Sequence, residues 1–309
     1  MSSLTLGGVL PVFQTPFRSD ESIDWETLER EIDWLFASGA NGIVMAMVSE
    51  VLRLDQAERY EMAQRAVQFA RGRGAVIISV GAESSRVAEQ HARRATDIGA
   101  TALMAIPPVS VTTIESELLN YYERIVGASS LPIIVQDASG YVGRPMSIAM
   151  QAQLLQKFGP QRILYKPEAT PIGPRLSALR DATSGQARIF EGTGGIALVD
   201  SYRRGIVGTM PGADLIHGIV ALWKALQNDD QERIYQLSLA ISSLIALQNS
   251  LDAFLAIEKY LLMRQGIFSN PQVRGPVGYR LDDETCSEVD RLFDLIQCAT
   301  NQDGVNPAA

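Results

Sequence analysis

The chain has 309 residues, 46% of them hydrophobic and 20% charged, which suits one large globular unit such as a barrel of about 250 residues with an added segment. A formal charge of −8 and an isoelectric point near 5.0 disfavour a nucleic-acid partner, which requires a basic face. No apolar run of about 18 residues occurs, and Met1-Ser2-Ser3-Leu4 lacks a basic stretch leading into an apolar one, so neither a membrane span nor a secretory leader is expected and a cytoplasmic location follows.

Short runs rich in Val and Ile alternate with longer stretches of helical period, the pattern of βα units around a parallel sheet. In chain order, strands are expected at 9–14, 42–48, 75–80, 102–106, 132–137, 163–166, 188–191 and 205–210. Eight such units describe an α/β chain folded as a (β/α)8 TIM barrel. Between them, 25–37, 56–70 and 87–98 repeat apolar residues at three- and four-residue steps, as a helix with one buried face does. Two helices run into a Gly-Ala step before the next strand, at Gly39-Ala40 and Gly99-Ala100. Glycine there takes the left-handed conformation that stops a helix.

The last barrel helix is expected at 214–227. Beyond it the period is helical throughout, at 231–248, 252–265 and 283–300, broken by the Pro- and Gly-bearing loop 266–278. The domain reading is therefore a catalytic barrel over 1–228 and a C-terminal helical segment over 229–309 packed on it, with 301–309 a frayed tail. A doubly wound open sheet is the competing fold, and the G-x-G-x-x-G first turn it usually carries is absent.

Cys286 and Cys298 are the only cysteines, and His91 and His217 the only histidines. Their spacing fits no disulfide framework and no metal site, and it leaves a Ser-His-Asp hydrolase almost nothing to use. No metal and no cofactor is expected, and the chemistry falls to other groups. Of the four lysines, Lys157, Lys224 and Lys259 sit in helical stretches where a solvated cation is ordinary. Lys166 instead ends the sixth strand, and the C-terminal ends of barrel strands form the active face. A lysine desolvated there favours its neutral amine, which attacks a carbonyl carbon. The alternative is a structural ion pair with Glu168 or Glu191. Strand alternation points Lys166 and Glu168 the same way if the chain stays extended through Pro167. Glu168 is then either a partner and proton carrier for an imine or a cap or salt bridge for the next helix.

The opening Gly7-Gly8-Val9-Leu10-Pro11-Val12-Phe13-Gln14-Thr15-Pro16-Phe17, the loop Ala46-Met47-Val48-Ser49-Glu50 and Lys166 carry a family likeness. Across essentially its whole length the chain resembles the dihydrodipicolinate synthase and N-acetylneuraminate lyase superfamily. The resemblance implies a class I lyase on a (β/α)8 barrel with a helical C-terminal segment, and Lys166 as the residue that forms an imine with a small 2-oxo acid. It places 46–50 on the family's Gly-Thr-Thr-Gly-Glu loop, which holds the substrate carboxylate. The family's proton-relaying tyrosine of the fifth strand becomes Gln136, which cannot titrate. Its arginine for a second carboxylate falls near Tyr141, which disfavours lysine biosynthesis. The branch of 2-keto-3-deoxy sugar acid dehydratases is more similar, at Ser49-Glu50, Val135-Gln136-Asp137, Lys166-Pro167-Glu168 and Gly208-Thr209-Met210-Pro211. It is similar also in the loop from Gly266-Ile267 through Val273-Arg274-Gly275-Pro276.

The implied reaction is dehydration of an acid such as L-2-keto-3-deoxyarabonate. Lys166 condenses with C2, the imine acidifies the C3 hydrogens, and the enamine expels the C4 hydroxyl. Proton carriers are expected among Glu168, placed first, Glu191 and Asp137, or a water held by Gln136. Ser49 and neighbouring N–H groups are expected to bind the C1 carboxylate, the alternative being a plain helix cap. Glu191 and Gly192 follow the seventh strand, where barrels often bind anions, or form a simple tight turn. Glu50 either orders the site or salt-bridges on a loop. Val207 in the eighth strand is a further substrate-binding candidate. An aldolase using the same imine and a barrel that binds sugar acids without turnover remain the competing functions. By resemblance the chain is expected to form a homodimer or homotetramer.

Overall fold

A computed structural model describes residues 6–301. Among them the strands are β1 (Gly8–Val9), β2 (Gly42–Met45), β3 (Ala75–Ser79), β4 (Ala102–Ala105), β5 (Ile133–Asp137), β6 (Ile163–Pro167), β7 (Phe190–Glu191) and β8 (Gly208–Thr209). They pair in parallel in two runs, β2-β3-β4-β5-β6 and β1-β8-β7. Parallel bridges from Val12 to Val44 and from Tyr165 to Ile189 join the runs at both seams. The sheet therefore closes on itself as a (β/α)8 barrel, which leaves no free edge.

Closure explains why the strands read as near-continuous apolar runs. A parallel strand covered on both faces must be hydrophobic on both, and every residue of β2 through β6 is buried. Alternate residues such as Val44, Ile77, Met104, Ile134, Leu164 and Phe190 fill the barrel interior. Their neighbours, such as Ile43, Val76, Leu103 and Ile163, meet the surrounding helices. Strands one, seven and eight are shorter than expected. Pro11 has no N–H to give to a ladder, yet the Leu10 and Val12 N–H groups still reach the Thr209 and Pro211 carbonyls at 2.9 and 2.8 Å. The chain keeps its place in the wall there without regular pairing.

The helices around the wall are α1 (Trp25–Ala37), α2 (Gln56–Ala70), α3 (Ser85–Asp97), α4 (Glu115–Ala128), α5 (Ile148–Phe158), α6 (Ile172–Ala182), α7 (Leu198–Arg203) and α8 (Ile216–Gln227). Asp24, Asp55, Ser84 and Ser147 start four of them, each accepting from the N–H three residues on. Gly39 and Gly99 end α1 and α3 with φ of 97° and 87°, the stop that the Gly-Ala steps indicate. Three more helices follow, α9 (Gln231–Ile245), α10 (Leu251–Arg264) and α11 (Asp283–Asn301). α9 and α11 pack with α8, whereas α10 lies against the turn that follows β2. Residues 302–309 of the expected tail lie outside the described residues, and Asn301 closes α11. No described helix is long and apolar enough to cross a membrane.

One lysine expected to be solvated is not. Lys259 on α10 is fully buried, because α10 presses that face onto the loop after β2. Its ammonium pairs with the Glu50 carboxylate, donates to the Gln272 carbonyl at 2.8 Å and lies 4.5 Å from the Phe17 ring centre. Burial pushes the lysine's pKa down, and the Glu50 charge pulls it back up. Breaking such a pair leaves one charge uncompensated in a dry interior. Lys259→Met is therefore expected to lower unfolding free energy by about 3–5 kcal/mol, read from the denaturant midpoint. An unmoved midpoint would refute the pairing as a structural tie.

Candidate active site

The two-residue period of a strand decides which side chains reach the barrel mouth. In the β5–β6 register Gln136 lies opposite Lys166, and the two continue the inward rows begun by Ile134 and Leu164. The chain stays in strand through Pro167, so Glu168 follows on the same side. Lys166 Nζ lies 3.0 Å from Glu168 Oε1, and Gln136 Nε2 donates to Glu168 Oε2 at 2.8 Å. All three side chains are buried. Burial pushes the Glu168 carboxyl above the ordinary glutamate range, partly offset by the Lys166 charge and by hydrogen bonds from Gln136 and Lys166. The arrangement is an amine, a carboxyl whose proton affinity is raised by burial and an amide that fixes the carboxyl's orientation.

The same alternation turns Asp137 away and corrects its reading as a proton carrier. Its carboxylate accepts from the Ser139 N–H and hydroxyl at 3.2 and 2.6 Å and from the Met146 N–H at 2.9 Å, with Arg175 at 3.5 Å. It holds the loop after β5 and is absent from the cavity wall at Lys166. Ser49 is likewise occupied. Its hydroxyl donates to the Phe13 carbonyl at 2.6 Å and accepts from the Ala46 N–H at 3.1 Å, which closes a 3-10 turn over Met47–Ser49 and ends β2 earlier than expected. Ala46, Met47 and Val48 face the cavity in its place. The N–H groups of Met47 and Val48 have no acceptor within the turn itself. Glu50, in the left-handed region at φ 56°, supports this turn through its tie to Lys259 and does not line the cavity.

Glu191 sits beside Glu168 and raises the latter's proton affinity. Its own carboxylate is held by the Thr193 N–H at 2.6 Å, by the Thr193 hydroxyl and by the Thr209 hydroxyl at 2.6 Å. Gly192 does line the cavity, and a β-carbon there would stand 2.6 Å from Lys166 Cε and 2.9 Å from Glu168 Oε1. Only a residue without a side chain lets the lysine lie across this backbone. Gly192→Ala is expected to displace the amine and slow imine formation by about 10²-fold, the cost typical of an ångström-scale misplacement. Trapping with pyruvate and borohydride at the parental rate would contradict this. Val207 is at the wrong end of β8 for a substrate contact. Its carbonyl and N–H serve Gly8 and Ile189 at 3.0 and 2.8 Å, while Met210, Pro211 and Gly212 reach the cavity.

Further cavity residues escaped the sequence reading as site residues. Tyr141 comes from the loop after β5, and Leu251, Phe254 and Glu258 come from one face of α10. Tyr141 packs edge-on against Phe254 with ring centres 5.5 Å apart. Burial and the nearby Glu168, Glu191 and Glu258 charges push its phenol up, so it stays a neutral donor. Glu258 is 1% exposed and accepts from the Gln14 side-chain amide. A usable signal existed, since Glu258 interrupts the apolar face of α10 where a solvated glutamate has no place. No cluster of His, Cys, Asp and Glu among the described residues is arranged to hold a metal ion.

The profile of the Dihydrodipicolinate synthetase family matches residues 5–294. An L-2-keto-3-deoxyarabonate dehydratase of Azospirillum brasilense is 27% identical over 281 residues, covering 87% of this chain and 88% of the relative. A 4-hydroxy-tetrahydrodipicolinate synthase of Stenotrophomonas maltophilia (strain R551-3) is 26% identical over 217 residues, 70% of this chain and 72% of that one. The crystal structure of a dihydrodipicolinate synthase from Rhodopseudomonas palustris superimposes with a TM-score of 0.85 at 26% identity, over 95% of this chain and all of that one. With one family profile spanning nearly the whole barrel and its helical extension, the chain belongs to the dihydrodipicolinate synthetase family of Schiff-base-forming lyases.

Proposed function

We propose that the protein dehydrates a 2-keto-3-deoxy sugar acid such as L-2-keto-3-deoxyarabonate through an imine on Lys166. The observation that carries the reading is the Lys166, Glu168 and Gln136 group at 3.0 and 2.8 Å, with a carboxylate in reach of the amine and no phenol at position 136. Glu168 takes a proton from the Lys166 ammonium, which frees the amine to attack C2. It returns that proton to the carbinolamine oxygen as water leaves and the iminium forms. Ionised again, Glu168 removes a C3 proton, and the resulting enamine expels the C4 hydroxyl. The turn at Met47 and Val48 and the space left by Gly192 support placing the C1 carboxylate beside Lys166.

The names of relatives such as the Stenotrophomonas synthase support a second reading, an aldolase that uses the same imine. A panel of C5 and C6 2-keto-3-deoxy acids separates the two. Release of a semialdehyde supports dehydration, and release of pyruvate overturns it. Borohydride reduction in the presence of pyruvate should add mass to the peptide containing Lys166, and its failure to do so would favour a barrel that binds sugar acids without turnover. The same proposal includes a homodimer or homotetramer in the cytoplasm, the oligomer being readable by light scattering.

A further inference from the structure

Glu258 is a buried acid on the wall of the candidate active-site cavity. It belongs to α10, outside the barrel strands, yet its side chain enters the same cavity as Lys166 and Glu168. A second carboxyl stands beside it. Seen from the point where a β-carbon on Gly212 would lie, Glu258 Oε1 is 1.8 Å away and Asp214 Oδ1 is 2.9 Å away. Both residues are buried. Gln14 donates to the other Glu258 oxygen, and Gln248 Nε2 reaches Asp214 Oδ2 at 3.5 Å. Two buried carboxylates this close are not both charged, so at least one of them holds a proton.

Resting on the dehydratase reading, we propose that Glu258 is the general acid that protonates the departing C4 hydroxyl, using the proton it shares with Asp214. As Glu168 takes the C3 proton, the enamine electrons move to C3–C4 and the C4–O bond breaks. The Glu258 O–H gives its proton to that oxygen, water leaves and the iminium on Lys166 is restored. The proton gained by Glu168 equals the one lost by Glu258, and its return through the cavity resets both groups without a co-reactant. Without such a donor, hydroxide would have to leave into a dry cavity.

The charged and titratable groups facing Glu258 are Asp214 from the turn before α8, Glu31 from α1, Lys166 from β6 and Tyr141 from the loop after β5. Burial, then the Asp214 and Glu31 charges, push the Glu258 carboxyl well above its ordinary range, with Gln14 and Lys166 pulling it partly back. Burial likewise pushes Asp214 up to about 7. Both shifts favour the protonated form of the pair, which loses its proton as pH rises.

The test uses the full chain with Glu258→Gln and Asp214→Asn, each checked for folding by thermal melting. Glu258→Gln keeps the shape and the Gln14 contact, and is expected to lower kcat for dehydration by about 10²–10³-fold, with borohydride trapping of pyruvate at the wild-type rate. Asp214→Asn removes the neighbouring charge, so the basic limb of the kcat profile should move to lower pH. Dehydration by Glu258→Gln at the wild-type kcat overturns the proposal. So does trapping that falls in step with dehydration, which would make Glu258 a positioning residue for Lys166, and so does an unmoved basic limb in Asp214→Asn. A wild-type enzyme that is not trapped, or that releases pyruvate, sinks the dehydratase reading and this proposal together, whereas the outcomes above sink the proposal alone.

Discussion

Replacing Lys166 by arginine is expected to lower turnover by about 10⁴-fold or more, the scale seen when a covalent nucleophile is removed. Arginine keeps a positive charge beside Glu168, so the 3.0 Å ion pair has a replacement and the fold need not suffer. What arginine cannot do is release a proton to become a nucleophile at any accessible pH. The variant should therefore show no mass increase after reduction with pyruvate and borohydride, while melting close to the wild-type temperature. Guanidinium is bulkier than ammonium and the wall at Gly192 is tight, so Lys166→Met serves as the smaller control. Turnover of the natural substrate by either variant at the parental rate would rule out imine chemistry at this position.

Glu168→Gln should have the next largest effect, a fall in kcat of about 10²–10⁴-fold, the usual contribution of a positioned base. The variant keeps the shape of the side chain and a hydrogen bond to Gln136, so the loss reports on charge and proton transfer. The pH dependence has a definite sign. The working form of Glu168 is the ionised carboxylate, and its folded pKa is raised above the ordinary 4.5. Wild-type kcat should therefore drop as pH falls through that raised value, giving an acid limb above pH 4.5. In Glu168→Gln that limb should vanish. A variant with wild-type kcat, or one that keeps the acid limb, would assign the proton transfer to another group.

The barrel was legible because each strand must be apolar on two faces and each helix on one, and both demands leave periodic marks. Lys166 was legible for the opposite reason, a cation at the end of a strand that ought to be buried. Asp137 and Gln136 show where this ended. They are adjacent, and only the direction of the β5 pleat sends Gln136 inward to Glu168 and Asp137 outward to Ser139, Met146 and Arg175. Ser49 has the hydroxyl that a carboxylate site needs, but the Phe13 carbonyl, 36 residues earlier in the chain, uses it.

Local sequence determined the order of elements, the caps and glycine stops, and the isolation of one lysine at a strand end, because these depend on a few neighbouring residues and their backbone preferences. Tertiary structure alone decided that Glu50 meets Lys259, that Tyr141 meets Phe254, and that Glu258 on α10 stands beside Asp214 at the mouth of the barrel. Those meetings depend on how a helix beyond the eighth unit is laid across the barrel. The angle of that packing comes from the summed contacts of many side chains, none of which marks its distant partner in the sequence.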